Sequence, residues 1–184
     1  MSDVENLKCL RQIRFWLVII IIGLVISGAT AIPLILEVGF LNKVVHKFDF
    51  FGPGVREWIQ SVYAGLLDTN ARYPFLFYGT DWLAFGHFAI AIAFIGPWRD
   101  PVRNIWVIEF GIIACLLLIP YALVFGAIRD IPFWWRLIDC SFGLFGLIPL
   151  ILARRATKRL HRRWGEAMPR SGESNLSFKS PAEP

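Results

Sequence analysis

The chain has 184 residues, of which 56% are hydrophobic and only 18% charged, and its formal net charge is +5. This balance excludes an ordinary soluble domain and predicts an integral membrane protein with room for one domain. The three cysteines are widely spaced and form no CxxC motif, so we predict neither a disulfide framework nor a metal site.

The chain opens with a polar segment, residues 1–14, which carries Lys8, Arg11 and Arg14. Residues 15–36 follow without a single charge, and about 20 apolar residues suffice to span a bilayer. We therefore predict a cytoplasmic amino terminus and a first transmembrane helix over 15–36. A cleavable signal peptide is the alternative, and the length of the apolar run favours the uncleaved span.

Small residues recur within this first span. Gly23, Ser27 and Ala31 are spaced four apart, and such rows let helix backbones approach closely in lipid. We expect a helix contact along this row.

The segment 37–81 is the longest stretch that does not span. Apolar residues recur at helical spacing over 38–48 and again over 55–66, on either side of a Gly-Pro-Gly break at 52–54. Two amphipathic helices are predicted. Periodicity leaves open whether they lie in the membrane interface or cover the outer mouth of a helix bundle.

Three further spans are predicted at 82–98, 105–128 and 133–153. Lysine and arginine flank the amino terminus, the short connector 99–104 and the carboxyl-terminal segment, which places all three in the cytoplasm. The predicted fold is an all-α integral membrane bundle of four transmembrane helices with an amphipathic outer loop.

The carboxyl-terminal segment 154–184 is predicted to be a basic, partly disordered cytoplasmic tail, with the disorder beginning after Trp164. Such a basic cluster next to a span is typical of contact with the anionic cytoplasmic leaflet, and we see no module that favours nucleic acid. The residues of the cluster are Arg154, Arg155, Lys158, Arg159, Arg162 and Arg163.

Charged residues inside the spans are costly, so they indicate a structural or functional role. Counting helical rise from the outer end of each span gathers several of them in the outer half of the bundle. The predicted polar cluster consists of Glu37, Asp81, His87, Arg136 and Asp139. In the last span Arg136, Asp139, Gly143, Gly146 and Leu150 share one helical stripe, which we predict to be its packed side.

Each cluster member has a structural and a functional interpretation. Arg136 and Asp139 form either an orienting ion pair or part of a ligand site. His87 is a hydrogen-bonded packing residue, an acid-base group or a ligand to a cofactor, and the first is favoured. Glu37 and Asp81, at helix ends, are solvated or capping residues in the structural interpretation.

Glu109 is the one acidic residue predicted in the inner half, where it pairs with Arg103 or Arg154. Walker, HExxH, GxSxG and CxxC motifs are absent from the sequence. We therefore identify no catalytic residue and predict no cofactor.

Three strings resemble a family of small four-span bacterial inner-membrane proteins for which no activity is assigned: residues 78–84 (YGTDWLA), 100–104 (DPVRN) and 131–143 (IPFWWRLIDCSFG). This resemblance implies a multi-pass protein of the bacterial inner membrane. The long loop after the first span is also similar in layout to the EXPERA group of sterol isomerases and sterol-binding receptors, without a shared catalytic motif.

The first functional hypothesis is a protein that binds a lipid-like molecule or a membrane partner through the outer polar cluster. The alternatives are a lipid- or isoprenoid-modifying enzyme that uses carboxylate and histidine acid-base chemistry, and an accessory subunit of a membrane complex or a small transporter.

Overall fold

The computed structural model describes residues 2–48 and 50–167, and within these ranges the chain is helical and contains no strand. This confirms the all-α prediction. The α-helices, in chain order, are α1 (Ser2–Ala31), α2 (Leu34–Lys47), α3 (Pro53–Arg72), α4 (Tyr78–Ala93), α5 (Ile95–Arg99), α6 (Ile105–Ile128) and α7 (Phe133–Ala167), with a 3-10 turn at Pro74–Phe77 before α4.

The described residues contain four helical stretches long and apolar enough to cross a membrane: Val4–Ala31, Pro74–Arg99, Ile105–Ile128 and Phe133–Trp164. The number of candidate spans is therefore as predicted. The third coincides with the predicted 105–128, and Pro120 lies inside it without ending the helix.

The first predicted span is too long at its carboxyl end. Helix α1 ends at Ala31, and after a turn residues 34–36 belong to α2. Pro33 explains the break, because it has no N–H to continue the helical ladder and its ring obstructs the preceding turn. The predicted row of small residues is also displaced: Gly23 has open space around it, whereas Gly28 lies against Ala84 and Phe88 of α4.

The second predicted span starts too late. Helix α4 begins at Tyr78, four residues before the predicted start, and a turn at Phe94 separates it from α5. Pro97 lies in α5 and cannot donate to a carbonyl one turn earlier, which accounts for the interruption.

The two predicted amphipathic helices are present as α2 and α3, and they pack on each other. Tyr63 lies so close to Gly39 that a Cβ at that glycine would be 2.9 Å from its ring, while Val45 and Ile59 are buried. Part of each apolar face is thus used within the helix pair, although Phe40 remains 70% exposed.

The chain divides into two compact units. One is Leu17–Arg99, and the other combines the amino-terminal segment up to Trp16 with the chain from Asp100 onward. The second unit contains α6 and α7, and with them Glu109, Arg136 and Asp139.

Helices α6 and α7 are joined by a tight turn. Asp130 adopts a positive φ of 55°, its N–H donates to the Ala127 carbonyl at 3.2 Å, and the N–H of Ile131 donates to the Gly126 carbonyl at 2.9 Å. These two bonds form the Schellman arrangement that ends a helix. The short connection makes α6 and α7 antiparallel neighbours.

Glycines of α7 allow the two helices to approach closely. A Cβ at Gly143 would lie 2.7 Å from the Cys115 carbonyl oxygen, and one at Gly146 would lie 2.8 Å from Cys115 Sγ. Leu150 on the same stripe is buried. The predicted packed side of the last span is therefore confirmed, with α6 as its partner.

Helix α7 extends past residue 153, the predicted end of the last span. It continues without a break through the basic cluster to Ala167, so residues 154–167 are helical. Ala153, Ala156, Thr157 and Leu160 are fully buried, and this apolar stripe continues the packing of α7 beyond the span. The predicted disorder after Trp164 concerns mainly residues 168–184, which lie outside the described residues.

Gly143→Ala tests the close contact between α6 and α7. The added methyl group meets a backbone carbonyl, so the helices must separate, and we expect a loss of about 1–3 kcal/mol and a lower melting temperature in mild detergent. Gly86→Ala in α4 is the control, because nothing lies within 4 Å of its added Cβ. An equal melting temperature for both variants would contradict this packing.

Candidate functional site

The Arg136 side chain lies across α6. A Cβ at Gly126 would be 2.5 Å from Arg136 Cδ, so the absence of a side chain at Gly126 makes room for the arginine stem. The guanidinium Nη1 then donates to the Leu123 carbonyl at 3.2 Å, and the group sits 5.3 Å from the centroid of the Phe133 ring. Arg136 therefore binds the backbone of α6.

Arg136 and Asp139 do not form the predicted ion pair; no ion pair joins them in the part of the chain that the structure describes. Long side chains on a helix point toward its amino end, so Arg136 extends away from Asp139, which lies one turn later. Asp139 is half-buried, and Arg136 Nε is buried without a hydrogen-bond partner.

His87 contacts its own helix and α1. Its Nδ1 donates to the Leu83 carbonyl one turn earlier in α4 at 2.8 Å. Its Cβ would lie 3.1 Å from a Cβ at Gly28, so the residue packs against α1. This geometry agrees with the hydrogen-bonded packing histidine that the sequence favoured.

Glu37 and Asp81 are exposed. Each lies in the first turn of its helix, α2 and α4 respectively, where a negative charge interacts favourably with the helix dipole. Glu37 is thus at the start of α2 rather than at the far end of the first span.

The five predicted cluster residues are distributed over both compact units. Glu37, Asp81 and His87 belong to Leu17–Arg99, whereas Arg136 and Asp139 belong to the other unit. A single cluster formed by all five remains a prediction.

Glu109 has an identified partner. Its Oε1 accepts a hydrogen bond from Arg154 Nε at 2.8 Å, which selects one of the two predicted partners. The other candidate, Arg103, belongs to the connector, where its backbone N–H donates to the Asp100 carboxylate at 3.1 Å.

The basic segment, residues 154–163 of α7, is held in place by contacts along its length. Besides the Arg154 pair, Arg159 donates to the Gln12 side chain at 3.1 Å, and Arg163 forms an ion pair with Glu5 at 3.1 Å. These contacts connect α7 to α6 and to the amino-terminal part of α1.

The remaining cations of the segment, Arg155, Lys158 and Arg162, are exposed, and none has an acidic partner among the described residues. Together with Arg159 they recur at three- and four-residue steps and so occupy one face of the helix.

This face lines a cleft of about 730 Å³. We call it the cation-lined cleft. Its lining consists of Val102, Ile105, Arg155, Thr157, Lys158, Arg159, His161 and Arg162. No carboxylate is among these residues and most of the lining surface is apolar, so the cleft suits an amphiphile with an anionic group.

The sequence indicated the basic cluster but not the cleft. The cluster was assigned to a basic, partly disordered tail whose disorder begins after Trp164. The signal that identifies a helical face in the cluster is the apolar repeat at Ala153, Ala156 and Leu160 between the cations.

Cys9, Cys115 and Cys140 are free thiols. In the described ranges, no three side chains of the metal-binding types gather in one place. Comparisons with protein-family models, with curated proteins and with solved structures find no match. The resemblance to a family of bacterial four-span proteins therefore remains a prediction.

The contact between Arg136 and Gly126 is testable by a double-mutant cycle. We expect Gly126→Ala to cost about 1–3 kcal/mol in the wild-type background, because its methyl group displaces the arginine stem. In the Arg136→Ala background the cost should disappear, since only Cβ of residue 136 remains, 3.8 Å away. Melting temperatures in mild detergent provide the measurement.

Asp139→Asn is the matched control background for this cycle. Because Asp139 does not hold the guanidinium, the cost of Gly126→Ala should persist there in full. A cost that vanishes with Asp139→Asn, or that survives Arg136→Ala, would contradict the assigned contact.

Proposed function

We propose that this chain is a multi-pass protein of the bacterial inner membrane, with both termini in the cytoplasm, that binds anionic lipid through the cation-lined cleft. The observation that carries this proposal is the set of exposed cations without acidic partners on one face of α7, directly after an apolar stretch long enough to span a bilayer.

The depth of the cleft supports a lipid partner. Residues 133–153 of α7 rise about 31 Å at about 1.5 Å per residue, which matches a hydrocarbon core of about 30 Å. Arg155 follows this stretch directly, and Ile105 begins the neighbouring candidate span. With both helices inserted, the cleft lies at the level of the lipid headgroups.

The charge distribution supports the cytoplasmic side. Basic residues lie in the amino-terminal segment, the 99–104 connector and the basic segment of α7. Positively charged flanks remain in the cytoplasm, and anionic lipids of that leaflet attract them by about 1 kcal/mol per basic residue.

A second candidate is a lipid-like ligand near Arg136 and Asp139. The observation that favours it is the buried Arg136 Nε, which has no hydrogen-bond partner, together with the half-buried Asp139 one turn later in α7. The bond from Arg136 to the α6 backbone weighs against it, because it gives the guanidinium a structural role. The cation-lined cleft is the stronger proposal.

Native mass spectrometry of the protein in an uncharged detergent tests the proposal, with phosphatidylglycerol and phosphatidylethanolamine added in turn. We expect the wild type to retain phosphatidylglycerol preferentially. Arg155→Gln combined with Lys158→Gln should weaken that binding about 30-fold. Each lost cation costs about 1 kcal/mol of attraction, and about 2 kcal/mol corresponds to that factor.

Lys8→Gln combined with Arg11→Gln is the matched control. It removes one lysine and one arginine from an exposed part of α1 that does not line the cleft. Equal loss of lipid in both double variants would indicate a general charge effect, and retention in both would remove the cleft from the proposal.

A further inference from the structure

We propose that the cation-lined cleft is a one-to-one site for a lipid whose headgroup ends in a phosphate monoester or diphosphate. This inference rests on the proposed function and narrows it, because general attraction to an anionic surface requires neither a defined site nor a defined headgroup charge.

Several cations that line the cleft have no negative charge beside them. Arg154 and Arg163 are neutralised by Glu109 and Glu5. Arg159 keeps its charge, since its partner Gln12 is neutral. The residues that line the cleft and keep an uncompensated positive charge are Arg155, Lys158, Arg159 and Arg162.

Four such cations exceed what a phosphodiester requires. A diester headgroup carries a single negative charge, whereas a terminal phosphate carries about −1.5 to −2 at neutral pH together with three acceptor oxygens. Arginine provides up to five N–H donors in a fork that matches phosphate oxygens. The donor set therefore fits a terminal phosphate better than a diester.

The cationic face of α7 is long enough for more than one phosphate group. Arg155 and Arg162 are seven residues apart on α7, which corresponds to about 10 Å along the helix axis. A face of that length has room for two linked phosphates as well as for one. The cleft volume of about 730 Å³ is also typical of small-molecule sites.

Two residues of the cleft have fixed side-chain contacts. Thr157 lines it and is fully buried, with its hydroxyl donating to the Ala153 carbonyl at 2.9 Å. The Gln12 side chain fixes Arg159 at 3.1 Å. Arg159, held in place before binding, loses less conformational entropy when it binds than a cation of a mobile tail would.

The apolar side of the cleft indicates an amphiphile rather than a free phosphate. Val102 and Ile105 are half-exposed and stand at the amino end of α6, where the candidate span begins. A headgroup at the cations places its acyl or prenyl chain along this apolar edge. Free phosphate gains nothing from these two side chains.

The test is a titration of the full-length protein in uncharged detergent with dihexanoyl phosphatidic acid, dihexanoyl phosphatidylglycerol, inorganic phosphate and pyrophosphate. Isothermal calorimetry gives stoichiometry and Kd. We expect one phosphatidic acid per chain, bound at least about tenfold more tightly than phosphatidylglycerol and than either inorganic anion, since one favourable interaction of about 1.4 kcal/mol gives that factor.

The triple variant Arg155→Gln, Lys158→Gln and Arg162→Gln should abolish this preference. All three side chains are exposed, so folding should be retained, and its melting temperature checks that. Lys8→Gln with Arg11→Gln should leave the preference unchanged. Val102→Gln is an independent variant that should weaken phosphatidic acid binding without weakening pyrophosphate binding, because it removes an apolar contact and adds no charge.

The outcomes separate the two proposals. Equal binding of the two lipids, lost in the triple variant, overturns the terminal-phosphate site and leaves anionic lipid binding intact. Pyrophosphate or phosphate bound as tightly as phosphatidic acid overturns the lipid assignment of the site. Binding of neither lipid, or binding that survives the triple variant, overturns both proposals.

Discussion

The close contact between α6 and α7 at Cys115 determines how these two helices align. Because Gly143 and Gly146 have no side chains, α7 approaches the Cys115 backbone and thiol closely, and the antiparallel register follows. That register brings Arg136 over Gly126 at one end and Arg154 beside Glu109 at the other. The two polar contacts are thus consequences of one packing contact between glycines and a neighbouring helix.

In this register the cations of α7 make different kinds of contact. Arg136 is used for packing and binds a backbone carbonyl of α6. Arg154, Arg159 and Arg163 hold the extension of the helix against α6 and α1. The remaining cations, Arg155, Lys158 and Arg162, have no acidic partner among the described residues and lie on one face of α7. A basic face without acidic partners among the described residues remains because the structural contacts use only part of the basic segment.

Sequence patterns predicted the helices well and only some of the side-chain partners. The helix over 105–128 was correct because apolar length fixes it, and the packed stripe of α7 was correct because helical spacing fixes it. The Glu109–Arg154 pair was one of the two that the sequence offered. The Arg136–Asp139 pair was wrong, since spacing places residues on a face but not the direction in which a side chain points. The buried face of the basic segment was not predicted, because charge density concealed its alanines and Thr157.

The most direct test of the account is a spin-label scan of residues 151–164, one position at a time, in vesicles of anionic and zwitterionic lipid. If α7 continues as a packed helix at the membrane surface, accessibility to oxygen and to a polar relaxant will vary with a period of about 3.6 residues. Labels beside the cleft will then lie at headgroup depth. Uniform accessibility to the polar relaxant, without periodicity, would contradict the account.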